Sequence, residues 1–418
     1  MHIRPLIAPV CCCLLSPLCP AEDSGEATEL VAQVHVLDEL TRTIQREYAE
    51  PIARERLWSQ ALAGMVQALD PASRYLDPTE VALFGSMQAG RGHGFGFDWR
   101  QDHDCQCLRV ARIIPDSPAN AAAIYAGDRI TALDGAAVAD MGLGAARERL
   151  RRSGETISLT VHHPDGSSDQ VQLQRAAFTD SGVVPARMLA DHIGLLRIAR
   201  FRGGDGEVDG PTVTAFRQEI EQLREQGLAA LILDLRGNGG GSILAATAIA
   251  DTFLNAGHDE PRLIVRQASR NPARNRRFLA RSNTTLPDWP LVVLIDRHTA
   301  SAAELLAAAL KDHRRATLLG EASYGKASIQ ELFVLEDGSA LLLTVAHLHS
   351  PAGSFGPDSP LQPHVHLAVD AITRWHLQRR DRLLAAGQEL PPELHGLVDP
   401  QIAQAQAMLQ AVRIHTSR

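Results

Sequence analysis

The sequence predicts a mixed α/β protein, and three patterns in the 418-residue chain support this fold class. Two apolar runs of the buried-strand type, Leu228–Leu235 and Val292–Ile295, are each followed by a polar or glycine-rich turn and then by a helix-forming segment. The glycine-rich stretch from Gly90 to about Ala176 has the pattern of a small β-rich domain. Helical patterns precede that stretch and end the chain.

Composition limits the classes of function. Hydrophobic residues make up 45% of the chain, so a sizeable core is available, and 418 residues suffice for two or three domains. The formal net charge is −8 and aromatic residues are only 4%, which argues against nucleic-acid binding.

The first 21 residues have the pattern of a secretory signal peptide. Arg4 supplies the positive charge, and the apolar run Leu6–Leu18 is shorter than the roughly 18 apolar residues of a membrane span. We therefore expect a periplasmic or extracytoplasmic protein with no membrane span after signal removal. Cleavage would leave Cys105 and Cys107. Because side chains at i and i+2 of a strand stand parallel, we expect these to be reduced or intermolecularly reactive thiols rather than a disulfide.

Residues 22–88 are predicted to be helical. An apolar stripe at spacings of three and four supports a first helix, with Leu30, Val34, Leu37, Leu40 and Ile44. A second helix is expected near Leu57–Leu69. Pro71 and Pro78 in the following segment, LDPASRYLDPTE, are expected to open turns or short helices.

Ser301 lies where a strand gives way to a helix. It follows the run Val292–Ile295 and the turn Asp296–Thr299, and it begins the helix-forming segment Ser301–Leu310. A hydroxyl at this position is exposed at the sheet end, near unpaired N–H groups of the first helical turn. Acyl transfer needs a nucleophile there, because backbone donors can stabilise the developing oxyanion. The alternative role for this serine is a helix N-cap.

Lys326 lies in the loop after a further predicted strand, Ala316–Leu319. The segments TASAAEL and YGKASIQ, which contain Ser301 and Lys326, resemble the active-site segment of the carboxyl-terminal processing peptidases. These serine peptidases use a Ser/Lys dyad. The resemblance implies that Ser301 is the nucleophile, that Lys326 is the general base and that Gln330 supports the lysine. In an extended strand Lys326 and Gln330 would lie about 13 Å apart, so their contact requires a bend.

The β-rich stretch resembles the PDZ domain of the same family. GFGF at Gly94–Phe97 is followed by PDSPA at residues 115–119, AGDRI at 126–130 and Asp134-Gly135. A glycine-flanked loop that enters a strand exposes backbone N–H groups, which can bind a terminal carboxylate, and the strand edge can pair with a peptide. The expected carboxylate-binding residues are Gly94, Phe95, Gly96 and Phe97. The family also carries an L-D-P-x-S-x-Y-L segment before this domain.

The glycine-rich turn after Leu228–Leu235 does not match a phosphate-binding loop. It lacks G-x-x-x-x-G-K-[ST], and Ser242 replaces the last glycine of G-x-G-x-x-G. Residues 234–241 instead match the family pattern D-L-R-x-N-x-G-G. The resemblance implies an oxyanion-hole donor at Gly240, with Gly241 as the adjacent candidate, and a second donor at Ser301 or Ala302. We expect the two strand–turn–helix units to lie side by side.

Two other features are given no catalytic role. The stretch Gly257–Trp289 contains seven arginines and is expected to be an exposed, loosely ordered loop, with polyanion binding as an alternative. The pairs His347/His349 and His364/His366 have the spacing of zinc ligands, but no cysteine or carboxylate accompanies them. We therefore expect no metal and no cofactor. His364 also replaces an aspartate that the family has.

The expected domains are a signal peptide (1–21), an N-terminal helical region (22–88), a PDZ domain (89–177), a crotonase-like ββα serine peptidase core (178–370) and a charged C-terminal helical tail (371–418). The expected function is an extracytoplasmic serine endopeptidase that recognises free C-termini of protein or peptide substrates. Homo-oligomerisation stays open.

Two alternative functions stay open. One is an inactive tail-binding or lipophile-binding protein on the same fold. The other is a crotonase-type acyl-CoA enzyme, which the PDZ domain and the secretion signal oppose.

Overall fold

The computed structural model describes residues 24–88, 91–114, 117–203, 209–254, 261–281, 286–357, 359–385 and 387–416. The predicted signal peptide lies outside these residues. The chain divides into two compact units, Met1–Ala68 and Leu69–Arg418. Both helices and several sheets are present, which confirms the mixed α/β class.

The first unit contains two helices, α1 (Ser24–Glu47) and α2 (Arg54–Gln67), which contact one another. They correspond to the two helices predicted from the apolar stripe and from Leu57–Leu69. Among the described residues, no helix combines the length and the apolar character that crossing a membrane requires.

The second unit begins with the LDPASRYLDPTE segment, which forms β1 (Arg74–Leu76) and α3 (Pro78–Gln88). Pro78 is the first residue of α3, where a missing N–H costs nothing. Asp77 and Glu80 form a capping box: the Glu80 N–H donates to Asp77 Oδ1 at 2.9 Å, and the Asp77 N–H donates to Glu80 Oε2 at 3.2 Å.

A β-rich domain follows with its own hydrophobic core, which includes Leu108, Ile130 and Leu159. Its elements are β2 (Arg91–Gly94), β3 (Phe97–Asp102), β4 (Cys107–Ile113), α4 (Pro118–Ala121), β5 (Arg129–Leu133), β6 (Ala136–Ala137), α5 (Val138–Met141), α6 (Leu143–Arg152), β7 (Thr156–His162), β8 (Ser168–Gln174) and β9 (Ala176–Thr179). The main sheet has the order β3-β4-β5-β7-β8, so β3 is an edge strand, and β2 pairs with β9.

The two cysteines of this domain correct the expectation of reduced thiols, because the structure joins Cys105 and Cys107 in a disulfide. The expectation assumed that both residues belong to one strand. Only Cys107 does; Cys105 lies in the turn between β3 and β4, where Gln106 has a positive φ of 48°. The turn brings the two side chains together, which an extended strand would not.

The rest of the chain builds two further sheets with covering helices. The elements are β10 (Val183–Met188), β11 (Ile193–Ile198), α7 (Pro211–Glu225), β12 (Ala230–Asp234), α8 (Ile243–Phe253), β13 (Arg262–Ala268), β14 (Arg276–Ala280), β15 (Leu291–Ile295), α9 (Ala302–Asp312), β16 (Thr317–Gly320), β17 (Ser328–Val334), β18 (Ala340–His349), β19 (Val365–His366), α10 (Ala371–Ala385) and α11 (Pro400–Thr416). Single 3-10 turns occur at Ala190–His192, Pro272–Arg274 and Pro392–Leu394.

The larger sheet has the order β10-β11-β12-β15-β16-β19, and all its pairings except β10–β11 are parallel. Helices α7, α8 and α9 cover one face. Burial on both faces explains why β12 and β15 read as continuous apolar runs rather than as alternating patterns.

The C-terminal tail is helical, as predicted, and parts of it are buried although its sequence is charged. Ile402, Ala405 and Leu409 of α11 are buried against β11, β12 and β15 and complete the core on the second face of the larger sheet. In α10, Trp375 is buried and its Nε1–H donates to Asp128 Oδ1 of the β-rich domain at 2.9 Å. Both helices therefore have structural roles.

The arginine-rich stretch was expected to be a loosely ordered loop, and this was also wrong for its described part. Residues 262–280 form the β13–β14 hairpin, which joins the second, five-stranded sheet through β18. The apolar residues Leu263, Ile264 and Val265 supply the reason, since Ile264 and Val265 are buried in the core while arginines occupy exposed positions.

Candidate active site

Two turns at the carboxyl ends of β12 and β15 are held together by hydrogen bonds. These strands are parallel neighbours, so the turns that follow them meet at one sheet edge. The Gly237 N–H donates to Asp296 Oδ1 at 2.9 Å, and the Ala300 N–H donates to the Asn238 carbonyl at 2.9 Å. The glycine-rich turn and the Ser301 turn thus lie side by side, as the sequence indicated.

Ser301 has a strained backbone at the start of α9. Its φ is 57° and its ψ is −119°, in a region that residues with a Cβ rarely adopt. Such conformations cost on the order of 1–3 kcal/mol and persist only where the surroundings hold them in place. Such backbone strain is typical of functional sites.

Gly240 packs directly against this serine. Its φ is +97°, and a Cβ at this position would lie 2.8 Å from Ser301 Cβ and 3.1 Å from the Ala302 nitrogen. Only glycine allows so close an approach of the two turns. The glycine requirement in the 234–241 motif therefore has a steric cause.

Glu304 connects the Ser301 turn to the loop that carries Lys326. Its buried carboxylate accepts four hydrogen bonds: Oε2 accepts from the backbone N–H groups of Ser301 at 2.6 Å and Lys326 at 2.9 Å, while Oε1 accepts from the Gly325 N–H at 2.6 Å and from the Ser323 hydroxyl. Glu304 Oε2 accepts from the backbone nitrogens of both Ser301 and Lys326. The distance between these two nitrogens therefore cannot exceed the sum of the two hydrogen-bond lengths. Burial raises the pKa of Glu304, and the hydrogen bonds act in the opposite direction.

Lys326 is mostly removed from solvent in a positively charged neighbourhood. Burial lowers the pKa of the Lys326 ammonium, and the charges of Arg74 and Arg200 lower it further, while Asp70 acts in the opposite direction. Lys326 is also one of only two lysines among the 41 basic residues of the chain; the other is Lys311. In a chain that otherwise uses arginine, a lysine here is consistent with a need for a group that can lose its proton.

Gln330 lies on β17 near this lysine, but its amide group bonds elsewhere. Gln330 Nε2 donates to Ser328 Oγ at 2.9 Å and to Thr344 Oγ1 at 3.2 Å, and no described hydrogen bond joins it to Lys326. Thr344 Oγ1 in turn donates to Asp70 Oδ1 at 3.2 Å. In the pairing of β17 with β18, a register shift lies between Ile329 and Gln330.

Of the predicted oxyanion donors, two N–H groups are already used. Gly240 donates to Asn238 Oδ1 at 2.8 Å, and Ser301 donates to Glu304. Within the described part of the chain, the N–H groups of Gly241 and Ala302 have no acceptor. These two therefore stay available as donors.

Sequence reasoning missed Glu304 and Asp296. Glu304 follows Ser301 by three residues, which is the S-x-x-E capping-box spacing, so a signal for it was present. Asp296 accepts bonds from Gly237, His298 and Thr299, and nothing in its sequence context indicated this. His298, the histidine nearest Ser301 in sequence, shapes the turn through its backbone, and burial lowers its pKa.

The predicted carboxylate-binding loop lies between β2 and β3. Gly96 has a φ of +84°, and a Cβ there would overlap the Ser117 side chain. Among the described residues, no acceptor lies within reach of the N–H groups of Phe95 and Gly96. The loop opens onto edge strand β3, whose Arg100 contributes to the lowered pKa of His298.

Histidine and cysteine groups give little support for a metal. His347 and His349 share a face of β18, whereas His364 Nδ1 accepts the Leu318 N–H at 2.9 Å. In the described ranges, the one cluster of three potential ligands is Asp102, Cys105 and Cys107. Its two sulfurs form the disulfide.

We expect Glu304→Gln to lower both stability and activity. A glutamine amide would turn two N–H donors toward two of the four groups that now donate to the carboxylate, which should cost about 2–3 kcal/mol. Urea unfolding and kcat/KM are the measurements. Glu321→Gln is the matched control, because Glu321 lies in the loop that carries Lys326 but pairs with Arg374. Equal behaviour of the two variants would contradict the connecting role of Glu304.

Comparison with known proteins agrees with this architecture. The model of peptidase family S41 matches residues 192–367, and the PDZ domain model matches residues 86–162. The chain is 32% identical to the chloroplastic C-terminal processing peptidase of Tetradesmus obliquus over 76% of the chain and 70% of that protein. It is 33% identical to a carboxyl-terminal-processing protease of a Picosynechococcus strain over 70% of the chain and 68% of that protein.

A solved structure is also similar. The photosystem II D1 C-terminal processing protease superimposes with a TM-score of 0.57 at 28% identity, over 80% of this chain and 92% of that one. The fold thus combines a PDZ domain with an S41 peptidase domain. The chain belongs to the carboxyl-terminal processing peptidases, a family of serine peptidases.

Proposed function

We propose that this protein hydrolyses peptide bonds with a dyad of Ser301 and Lys326. The observation that carries the proposal is the Glu304 carboxylate, which binds the backbone of both residues and fixes the strained serine turn beside the lysine loop. Ser301 Oγ attacks the scissile carbonyl. Lys326, neutral through burial, takes the hydroxyl proton and then gives it to the leaving amine.

The oxyanion of the tetrahedral intermediate is stabilised by two backbone N–H groups. We assign these to Gly241 and Ala302, since Gly240 and Ser301 donate within the protein. Gly240 keeps a steric role in the close approach of the turns. Gln330, with Thr344 and Asp70, forms the polar surface beside the lysine, and its amide oxygen is the atom that could accept a bond from Lys326.

The PDZ domain selects substrates by their free C-termini. The Phe95 and Gly96 N–H groups, with Gly94 and Phe97 on either side, are suited to a terminal carboxylate, and the open edge of β3 is suited to pairing with an extended peptide. The substrates are then unfolded proteins or peptides outside the cytoplasm, the location that the signal-like residues 1–21 indicate.

The test of the carboxylate role compares substrates with free and amidated C-termini. Amidation removes charge-assisted hydrogen bonds, so we expect binding to Ser301→Ala protein to weaken about tenfold. Cleavage by the unsubstituted protein should slow in parallel. If both peptides bind and are cleaved alike, the loop does not act as a carboxylate receptor.

The test of the peptidase activity is incubation of the purified mature protein with an unfolded protein, followed by mass spectrometry of the products. Ser301→Ala protein is the control. Products that appear with the first and not with the second support the proposal, and products from neither would reject it.

A further inference from the structure

The outward face of the five-stranded sheet carries a row of basic side chains. Arg277 of β14 lies directly opposite Arg266 of β13, and Arg266 lies directly opposite His349 of β18. Residues in register on neighbouring strands project from the same face. Both arginines are exposed and His349 is half-buried.

This row does not stabilise the fold. Like charges directly opposite each other on paired strands are destabilising. In the part of the chain that the structure describes, no acidic side chain forms an ion pair with Arg266, Arg277 or His349. Burial lowers the pKa of His349, and the charge of Arg266 lowers it further. The opposite face of the five-stranded sheet packs into the hydrophobic core through residues such as Val265 and Leu348.

The row ends beside the lysine loop. The Leu348 N–H donates to the Ala327 carbonyl at 2.7 Å, and His347 pairs with Ser328. Ala327 is the residue next to Lys326. With strands about 4.8 Å apart, β13 lies about 10 Å and β14 about 15 Å from β17. An extended peptide covers those distances in about three to five residues.

We propose that Arg266 and Arg277, with His349, form a subsite for acidic side chains of the substrate, three to five residues from the scissile bond. This inference rests on the proposed peptidase function. A guanidinium can bind a carboxylate through two parallel hydrogen bonds, and a neutral imidazole can donate a third. The site therefore favours peptides with Asp or Glu at these positions over their amide counterparts.

The experiment uses peptides built around a cleavage site mapped in an unfolded protein. The two peptides of a pair differ only at the three positions that lie three, four and five residues from the cut. One peptide has Glu at all three positions and the other has Gln. Pairs are made for each side of the cut. We expect the Glu member to have a kcat/KM about fivefold higher at low salt, through KM, because exposed ion pairs have modest energies. The preference should fall as salt rises.

Four variants locate the effect. The Glu/Gln ratio should fall toward one in Arg266→Gln/Arg277→Gln and partly in each single variant. Arg276→Gln is the matched control: Arg276 is exposed on the same strand but is paired with Gln267, outside the row. Because removal of opposed charges relieves repulsion, the Tm of the double variant should not fall.

The outcomes separate the subsite from the peptidase function. A wild-type ratio of one on both sides of the cut, a control variant that loses the preference equally, or a lower Tm in the double variant would overturn the subsite. If the wild-type protein cleaves no substrate, the peptidase proposal fails. In that case the affinities of the same peptides for Ser301→Ala protein, with and without the double substitution, test the subsite. The subsite requires that the Glu peptide binds more tightly than the Gln peptide only when Arg266 and Arg277 are present.

Discussion

Ser301→Ala is expected to abolish peptide-bond cleavage, with kcat falling by about 10³-fold or more. The substitution removes the attacking oxygen. The other hydroxyl of the turn between β15 and α9, that of Thr299, is buried and donates to the Leu235 carbonyl. The measurement is the rate of product formation from an unfolded protein, with a limit set by mass spectrometry.

The same variant should fold normally and bind substrate tails. Alanine has the same Cβ as serine, so the positive φ at residue 301 carries the same strain, and the Ser301 N–H bond to Glu304 involves only the backbone. Circular dichroism, Tm and peptide binding should therefore match those of the unsubstituted protein. Cleavage that persists in the purified variant would rule out Ser301 as the nucleophile.

Lys326→Arg is expected to be inactive although it retains the positive charge. A guanidinium has a pKa above about 12 and cannot accept the serine proton at neutral pH. Lys326→Ala should lose activity by about 10²-fold or more. Lys311→Arg is the matched control, because Lys311 is the other lysine of the chain and donates to the Gln362 carbonyl.

Substantial activity in Lys326→Arg would reduce Lys326 to an electrostatic or structural residue. His298 would then be the next base to test. The lowered pKa of His298 favours its neutral form. However, its backbone N–H donates to Asp296 Oδ1, a contact that shapes the turn and does not activate Ser301.

Local pattern predicted those parts of the fold and the site that depend on short stretches of sequence. The apolar runs that became β12 and β15 ended at turns where a strand gives way to a helix, and this was enough to bring Ser301 and the glycine-rich turn together. The glycine pattern likewise indicated the loop before β3. Covered parallel strands leave this signal because both their faces are buried.

Contacts between distant residues could not be predicted in this way. The Glu304 carboxylate accepts hydrogen bonds from Gly325 and Lys326, which are 21 and 22 residues later in the sequence. Thr344 donates to Asp70, which is 274 residues earlier. The many arginines around β13 made this segment look like a loop, although its central residues are apolar and buried. The disulfide could not be predicted because it depends on the turn at Gln106, which places Cys105 outside the strand. The bond from the Gly240 N–H to Asn238 Oδ1 could not be predicted either, because it depends on how the turn folds.

The most direct test of the dyad is an NMR titration of the lysine side chains. Only two lysines are present, so protein labelled with ¹³C at lysine Cε should give two resonances, and Lys326→Arg identifies the one that belongs to Lys326. Because folding disfavours the charged form, Lys326 should lose its proton at a lower pH than the reference value of about 10.4. The kcat/KM should rise with pH and level off above the same midpoint. Titration of Lys326 near the reference value, or a rate profile unrelated to its midpoint, would contradict a neutral lysine base.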